Sequence, residues 1–140
     1  MKSLEQIEPA EKSIQVEGGA EHFGAMSEQE YLDMAVKYAL SVGWVKEKEK
    51  DILINDYLKP IYAKYLEIIK DLHQEGLAVG DITKIVTKMN RCLEATRRIG
   101  STEPNNIVRT IRDYQLAAKN NHEEYALTLL SHIVSEVVYK

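Results

Sequence analysis

The residues best equipped for chemistry in this chain are its arginines. All five lie between Arg91 and Arg112. With Lys84, Lys88 and Lys119 they make eight basic residues between Asp81 and Lys119, against four acidic ones (Asp81, Glu94, Glu103 and Asp113), a local charge of +4. The rest of the chain carries ten basic and eighteen acidic residues, -8, so the total is -4. A planar guanidinium grips two oxygens of one phosphate or carboxylate, and a row of them along a helix can track a repeating backbone. The total charge by itself argues against a nucleic-acid partner. Its division argues for a polyanion-binding face on an acidic body.

Other chemistries find less support. A zinc site needs several converging Cys, His or carboxylate ligands. The four histidines (His22, His73, His122 and His132) are scattered, and His132 with Glu136, one helical turn apart, is only a pair. No metal and no cofactor is expected. The single cysteine, Cys92, excludes an internal disulfide and reads as a small residue at the edge of an apolar helix face. Glu123-Glu124 suit the first turn of a helix as partners of its dipole. Gly18-Gly19 is a breaker and not a phosphate loop, because no Gly-Lys-Ser/Thr follows. No set of residues offers a nucleophile with a nearby base, so an enzyme is not expected and no catalytic residue is assigned. Most of the eight tyrosines fall on apolar helical positions, and Tyr114 and Tyr125 are nearest by sequence to the basic window, where a ring can stack on a base.

The elements that must position the arginines are helices. A chain of 140 residues, 44% hydrophobic and 29% charged, suits one globular domain with its own core. No apolar run approaches the ~18 residues of a membrane span, so no membrane partner is expected. The start lacks a signal peptide's apolar core, and the expected compartment is the cytoplasm. Residues 1–26 show no sustained period and read as a tail or arm, in which Ser13–Glu17 alternates like a short strand. Residues 27–140 read as a single helical-bundle domain. Ser27-Glu28-Gln29-Glu30 is a capping box, followed by an inner face of Tyr31, Met34, Ala35, Tyr38 and Val42, with Gly43 at the end. The alternating charges of Lys46–Asp51 read as a solvated helical start. The helical pattern from Ile54 to Leu72 runs past Pro60, which predicts two helices meeting near Lys59 or one kinked helix. A third helix runs from an Asp81 cap to about Ile99. A fourth starts at Ser101–Pro104 and runs to about Lys119. A fifth, capped by Asn121 with Glu124, runs nearly to Lys140 with an apolar face broad enough for a central helix or half of an oligomer interface. The fold class expected is all-α, a compact bundle of about five helices with an N-terminal arm.

On a wheel of 3.6 residues per turn, Lys84, Lys88, Arg91 and Arg98 fall within a stripe of about 80° opposite Ile82, Ile85, Val86, Met89 and Leu93. The next helix turns Ile107, Ile111, Tyr114 and Ala118 inward and Asn105, Arg109, Arg112 and Lys119 outward. Two consecutive helices thus present basic outer faces.

From Tyr57-Leu58-Lys59-Pro60-Ile61, through the helix to Leu72 and the two basic helices, the chain resembles small helical subunits of CRISPR effector complexes, over about residues 51–140. The resemblance implies a non-catalytic subunit of an antiviral nucleoprotein complex. It contacts RNA or single-stranded DNA backbone and packs against other protein subunits, copies of itself included. The nucleic-acid-binding role then falls on Lys84, Lys88, Arg91, Arg98, Arg109, Arg112 and Lys119. The alternative is a helical interaction or regulatory module, of a kind phages and plasmids carry, that binds an acidic protein surface. A helical ligand-sensing domain with an apolar interior is a third reading.

Overall fold

Ser27 opens the first long helix as its sequence requires. Its Oγ accepts from the Glu30 amide at 3.1 Å, and the Glu30 carboxylate accepts from the Ser27 amide at 3.0 Å. This geometry comes from a computed structural model that describes residues 17–101 and 105–139. The described residues form an all-α, compact fold with five helices of 12 to 18 residues: α1 (Glu28–Ser41), α3 (Lys59–Gln74), α4 (Val79–Ala95), α5 (Asn105–Leu116) and α6 (Asn121–Val138). A three-residue α-turn, α2 (Lys50–Ile52), leads into α3. The strand-like residues 13–16 and most of the Ser101–Pro104 start signal lie outside the described residues.

Tyr31, Ala35 and Ala39 form the buried line of α1. They are spaced i, i+4, i+8, a single ridge whose two alanines permit close packing. Met34 and Tyr38 are half-buried, and Val42, expected inside, is exposed where the helix ends at Gly43 (φ +79°). The Tyr31 hydroxyl is fully buried and meets Thr96 Oγ1 at 2.8 Å. Thr96 gives its own proton to the Leu93 carbonyl, so Tyr31 is the donor.

The passage through Pro60 is one continuous helical run. Residues Leu53–Leu58 widen into π turns, with the Lys59 amide bonded to the Ile54 carbonyl, and Pro60 then sits in the first turn of α3. A proline ring collides with the carbonyl four residues back and offers it no donor. The wider turn immediately upstream absorbs both defects. From there Ile61, Tyr62, Tyr65, Ile68, Ile69 and Leu72 are buried.

The arm expected to extend to Met26 ends earlier. Glu17–Phe23 forms 3₁₀ turns packed on α3 and α4, with Ala20 and Phe23 buried and the Phe23 ring 5.4 Å from that of His73. The loop after it has its backbone groups met by side chains. Tyr62 donates to the Met26 carbonyl (2.7 Å), the Met26 amide donates to the Tyr65 hydroxyl (2.8 Å), and Asn90 Nδ2 donates to the Gly24 carbonyl (2.9 Å). Tyr65 passes its own proton to Asn90 Oδ1. Backbone taken out of water must be paired, and these side chains make residues 24–26 part of the body.

Two helix starts differ from expectation, one by three residues and one by a single residue. The Asp81 and Ile82 amides already bond to the Ala78 carbonyl, so α4 begins at Val79 and Asp81 is a first-turn residue, not the cap. Asn120, in extended backbone (φ -157°), caps α6 through Oδ1 to the Glu123 amide, so Asn121 is helical. α5 stops at Leu116, short of Lys119, where the Ala118 amide tightens onto the Gln115 carbonyl. The broad apolar face of α6 is used up within the fold. The helix packs on α3, α4 and α5, burying Ala126, Leu127, Leu130, Val134 and Val137 with Leu129 and Ile133 half-buried. No helix among the described residues is long and apolar enough to cross a membrane.

Tyr31, Tyr62 and Tyr65 form one ring cluster, with centroids 5.9 and 5.4 Å apart, and burial pushes all three phenols well above the ordinary value near 10. An acid whose folded pKa is raised loses its proton first in the unfolded chain. Stability is therefore untouched below about pH 10 and falls above it, by up to about 1.4 kcal/mol per pH unit for each phenol. Urea denaturation from pH 8 upwards checks the slope. Tyr65→Phe, which strips the Met26 amide and Asn90 of a partner, is expected to cost about 2 kcal/mol in the same assay at neutral pH.

Candidate nucleic-acid interface

The interface is built where α4 ends. Ile82, Ile85, Val86, Met89, Cys92 and Leu93 point inward, and the helix tightens into a 3₁₀ turn, Thr96–Arg98, before Gly100 (φ +99°) reverses the chain. The Tyr31–Thr96 bond holds that turn from inside. α5 then packs back on α4 through Ile107 and Ile111. Between the two helices lies a polar cleft of about 320 Å³, with Arg91, Glu94, Arg97 and Arg98 on the α4 side and Asn106, Thr110 and Tyr114 on the α5 side.

The seven basic residues expected to act together divide into three groups. Arg91 and Arg98 are exposed and converge on the cleft. Lys84, Arg109, Arg112 and Lys119 are exposed outside it, and among the described residues no ion pair engages them, Arg91 or Arg98. Lys88 is committed elsewhere. Its Nζ lies 2.6 Å from Glu123 Oε2, and the same oxygen accepts from the Lys119 amide at 3.1 Å. The Glu123 side chain is only 4% exposed and that of Lys88 26%. Glu123 is thus an interior ion-pair partner and not simply a first-turn dipole residue. A carboxylate at that depth must be neutralised, which is why Lys88 leaves the outer stripe.

Arg97 is the residue the helical wheel misplaces. At α-helical spacing it falls beside the apolar stripe, and the basic stripe leaves it out. In the 3₁₀ turn successive residues advance by about 120° instead of 100°. Arg97 lines the cleft wall, its guanidinium 5.0 Å above the Tyr38 ring centroid. Its Nε is buried and has no hydrogen-bond partner. The signal in the sequence is Thr96 followed by Arg-Arg and, two residues on, Gly100, the pattern of a helix end where the wheel ceases to apply. Tyr114 lines the cleft, half-buried, whereas Tyr125 lies in a different depression beside Asp71, Glu75 and His122.

Cys92 is fully buried, and burial pushes its thiol up to about 12, so it carries almost no thiolate near neutrality. His132 and Glu136 are both exposed on α6, and among the described residues no three His, Cys, Asp or Glu side chains converge on one point.

The split between Lys88 and its neighbours has a direct consequence. Lys88→Met leaves Glu123 buried without its partner and is expected to destabilise the fold by roughly 3 kcal/mol, at the low end for a broken interior pair because Lys88 keeps some water. Arg91→Ala is expected to change stability by less than about 0.5 kcal/mol. Chemical denaturation of the two variants side by side measures the difference.

Comparison with protein-family models, with curated proteins and with solved structures finds no match for this chain, so the interface is judged on its own geometry.

Proposed function

We propose that this protein is a non-catalytic subunit of a nucleoprotein complex that holds the backbone of RNA or single-stranded DNA against the basic faces of α4 and α5. The resemblance to small subunits of CRISPR effector complexes gives the same assignment. The observation that carries it is the convergence of Arg91, Arg97 and Arg98 on one polar cleft, with Glu94 as the only acid lining it among the described residues, beside a helix whose Arg109 and Arg112 stand exposed. Guanidinium groups held this way suit phosphate oxygens. Contacts to a backbone supply affinity and leave sequence unread, as befits a subunit that stabilises a strand defined by other means.

The binding set differs from the seven residues of the sequence stripe. Lys88 serves the fold, and Arg97 joins Arg91 and Arg98 at the cleft, with Lys84, Arg109, Arg112 and Lys119 extending the face. The apolar face of α6 is largely spent inside the bundle.

The test is salt-dependent binding of a labelled single strand. Contacts to six phosphates through the exposed residues predict log affinity falling with log salt at a slope of about -4. The triple variant of Arg91, Arg109 and Arg112 to Ala is expected to reduce the magnitude of the slope to about 2 while the circular-dichroism spectrum is unchanged. Affinity that is the same in the triple variant at low salt rules the proposal out. Retention of an acidic protein surface with no strand binding favours the regulatory alternative.

A further inference from the structure

We infer that the cleft between α4 and α5 takes one unpaired nucleotide of a strand, with its base against Tyr114 and its phosphate on Arg91 and Arg98. The inference rests on the backbone-binding role proposed above and adds a selection for unpaired bases. Four features of the cleft carry it.

First, the cleft combines the two surfaces a nucleotide needs. Arg91 and Arg98 are exposed at the α4 side, and Tyr114 lines the same cleft from α5. Second, its size of about 320 Å³ sits at the lower end of small-ligand sites, about 300–1,000 Å³, which gives room for one nucleotide unit. Third, Tyr114 is half-buried, recessed between two helices. A recessed ring meets the face of a base only when that base has left its stack, because in a duplex both faces are covered by neighbours. Fourth, the wall has unspent polar capacity. The Thr110 hydroxyl donates to the Asn106 carbonyl at 2.9 Å, which leaves its oxygen as an acceptor for a base amino or imino group.

Tyr125 is the internal contrast. It is 53% exposed and so more accessible than Tyr114, yet it lies with Asp71, Glu75 and His122. Two carboxylates beside a ring repel a phosphate backbone. Exposure alone therefore favours Tyr125, and charge selects Tyr114.

The experiment uses the full chain and three labelled probes of equal length at one salt concentration: a single-stranded pyrimidine oligonucleotide, the same sequence as a duplex, and an abasic strand with the same phosphates. The single strand is expected to bind about tenfold or more tightly than the abasic strand, and more tightly than the duplex. Tyr114→Leu is expected to weaken single-strand binding about tenfold with the salt slope unchanged, while Tyr114→Phe and Tyr125→Leu bind as the parent does. Equal affinity for the single and abasic strands overturns the inference and leaves backbone binding standing. A free nucleoside monophosphate that competes mole for mole as well as the strand also overturns it, and takes the backbone reading with it, since the cleft is then a small-molecule site and the other phosphates add nothing. Binding to none of the three probes removes the backbone reading as well. The abasic comparison needs no mutation, so it decides the matter even if Tyr114→Leu fails to fold.

Discussion

A carboxylate taken out of water costs several kcal/mol unless a cation and hydrogen bonds replace its solvent. Glu123 is where this protein meets that constraint. One of its oxygens receives the Lys88 ammonium from α4 and the Lys119 amide from the turn before α6, while Asn120 caps the helix on which Glu123 sits. Three segments thereby meet at one atom. The pair ties α4 to α6, while the buried apolar face of α4 packs on α3, α5 and the turns of Glu17–Phe23. Arg91, three residues beyond Lys88, faces the neighbouring α5 and not α6. Lys88 and Arg91, close on one helix, thus serve different neighbours.

The opposite end of α4 depends on a second buried polar contact. Tyr31 donates to Thr96 inside the core, and Thr96 donates to Leu93. This pair ties α1 to the 3₁₀ turn that carries Arg97 and Arg98. Tyr62, Tyr65 and Asn90 do similar service for the segment before α1, turning what looks like the root of an arm into a packed strap. The fold is held by apolar burial along α3, α4 and α6. Its unique geometry around the cleft comes from a few hydrogen bonds that have no alternative partner in the interior.

Charge is distributed accordingly. The total of -4 describes no surface of the molecule. Among the basic residues of the Asp81–Lys119 window, one neutralises an interior acid, one lies over an aromatic ring with its Nε unpaired, and the others are exposed on α4, α5 and the turns that follow them. A face of this kind carries a local positive potential on a body whose remainder is acidic.

Much of the architecture was legible in the chain itself. The Ser27–Glu30 box, the periodic apolar residues of α3, α4 and α6, and the glycines after Ser41 and Arg98 depend on neighbours within four residues, so local pattern determines them. The inward residues of α4 and the outward arginines of α5 follow from the same periodicity. Tertiary structure alone decided the rest. Whether Pro60 breaks or merely widens its helix depends on what packs around it. Whether Lys88 faces solvent depends on a carboxylate 35 residues away. Arg97 lies over Tyr38 because α1 packs against the end of α4, where Tyr31 meets Thr96 across 65 residues. Periodicity records which side of a helix is apolar, and it carries no information about which distant group will claim a polar side chain once both have left water.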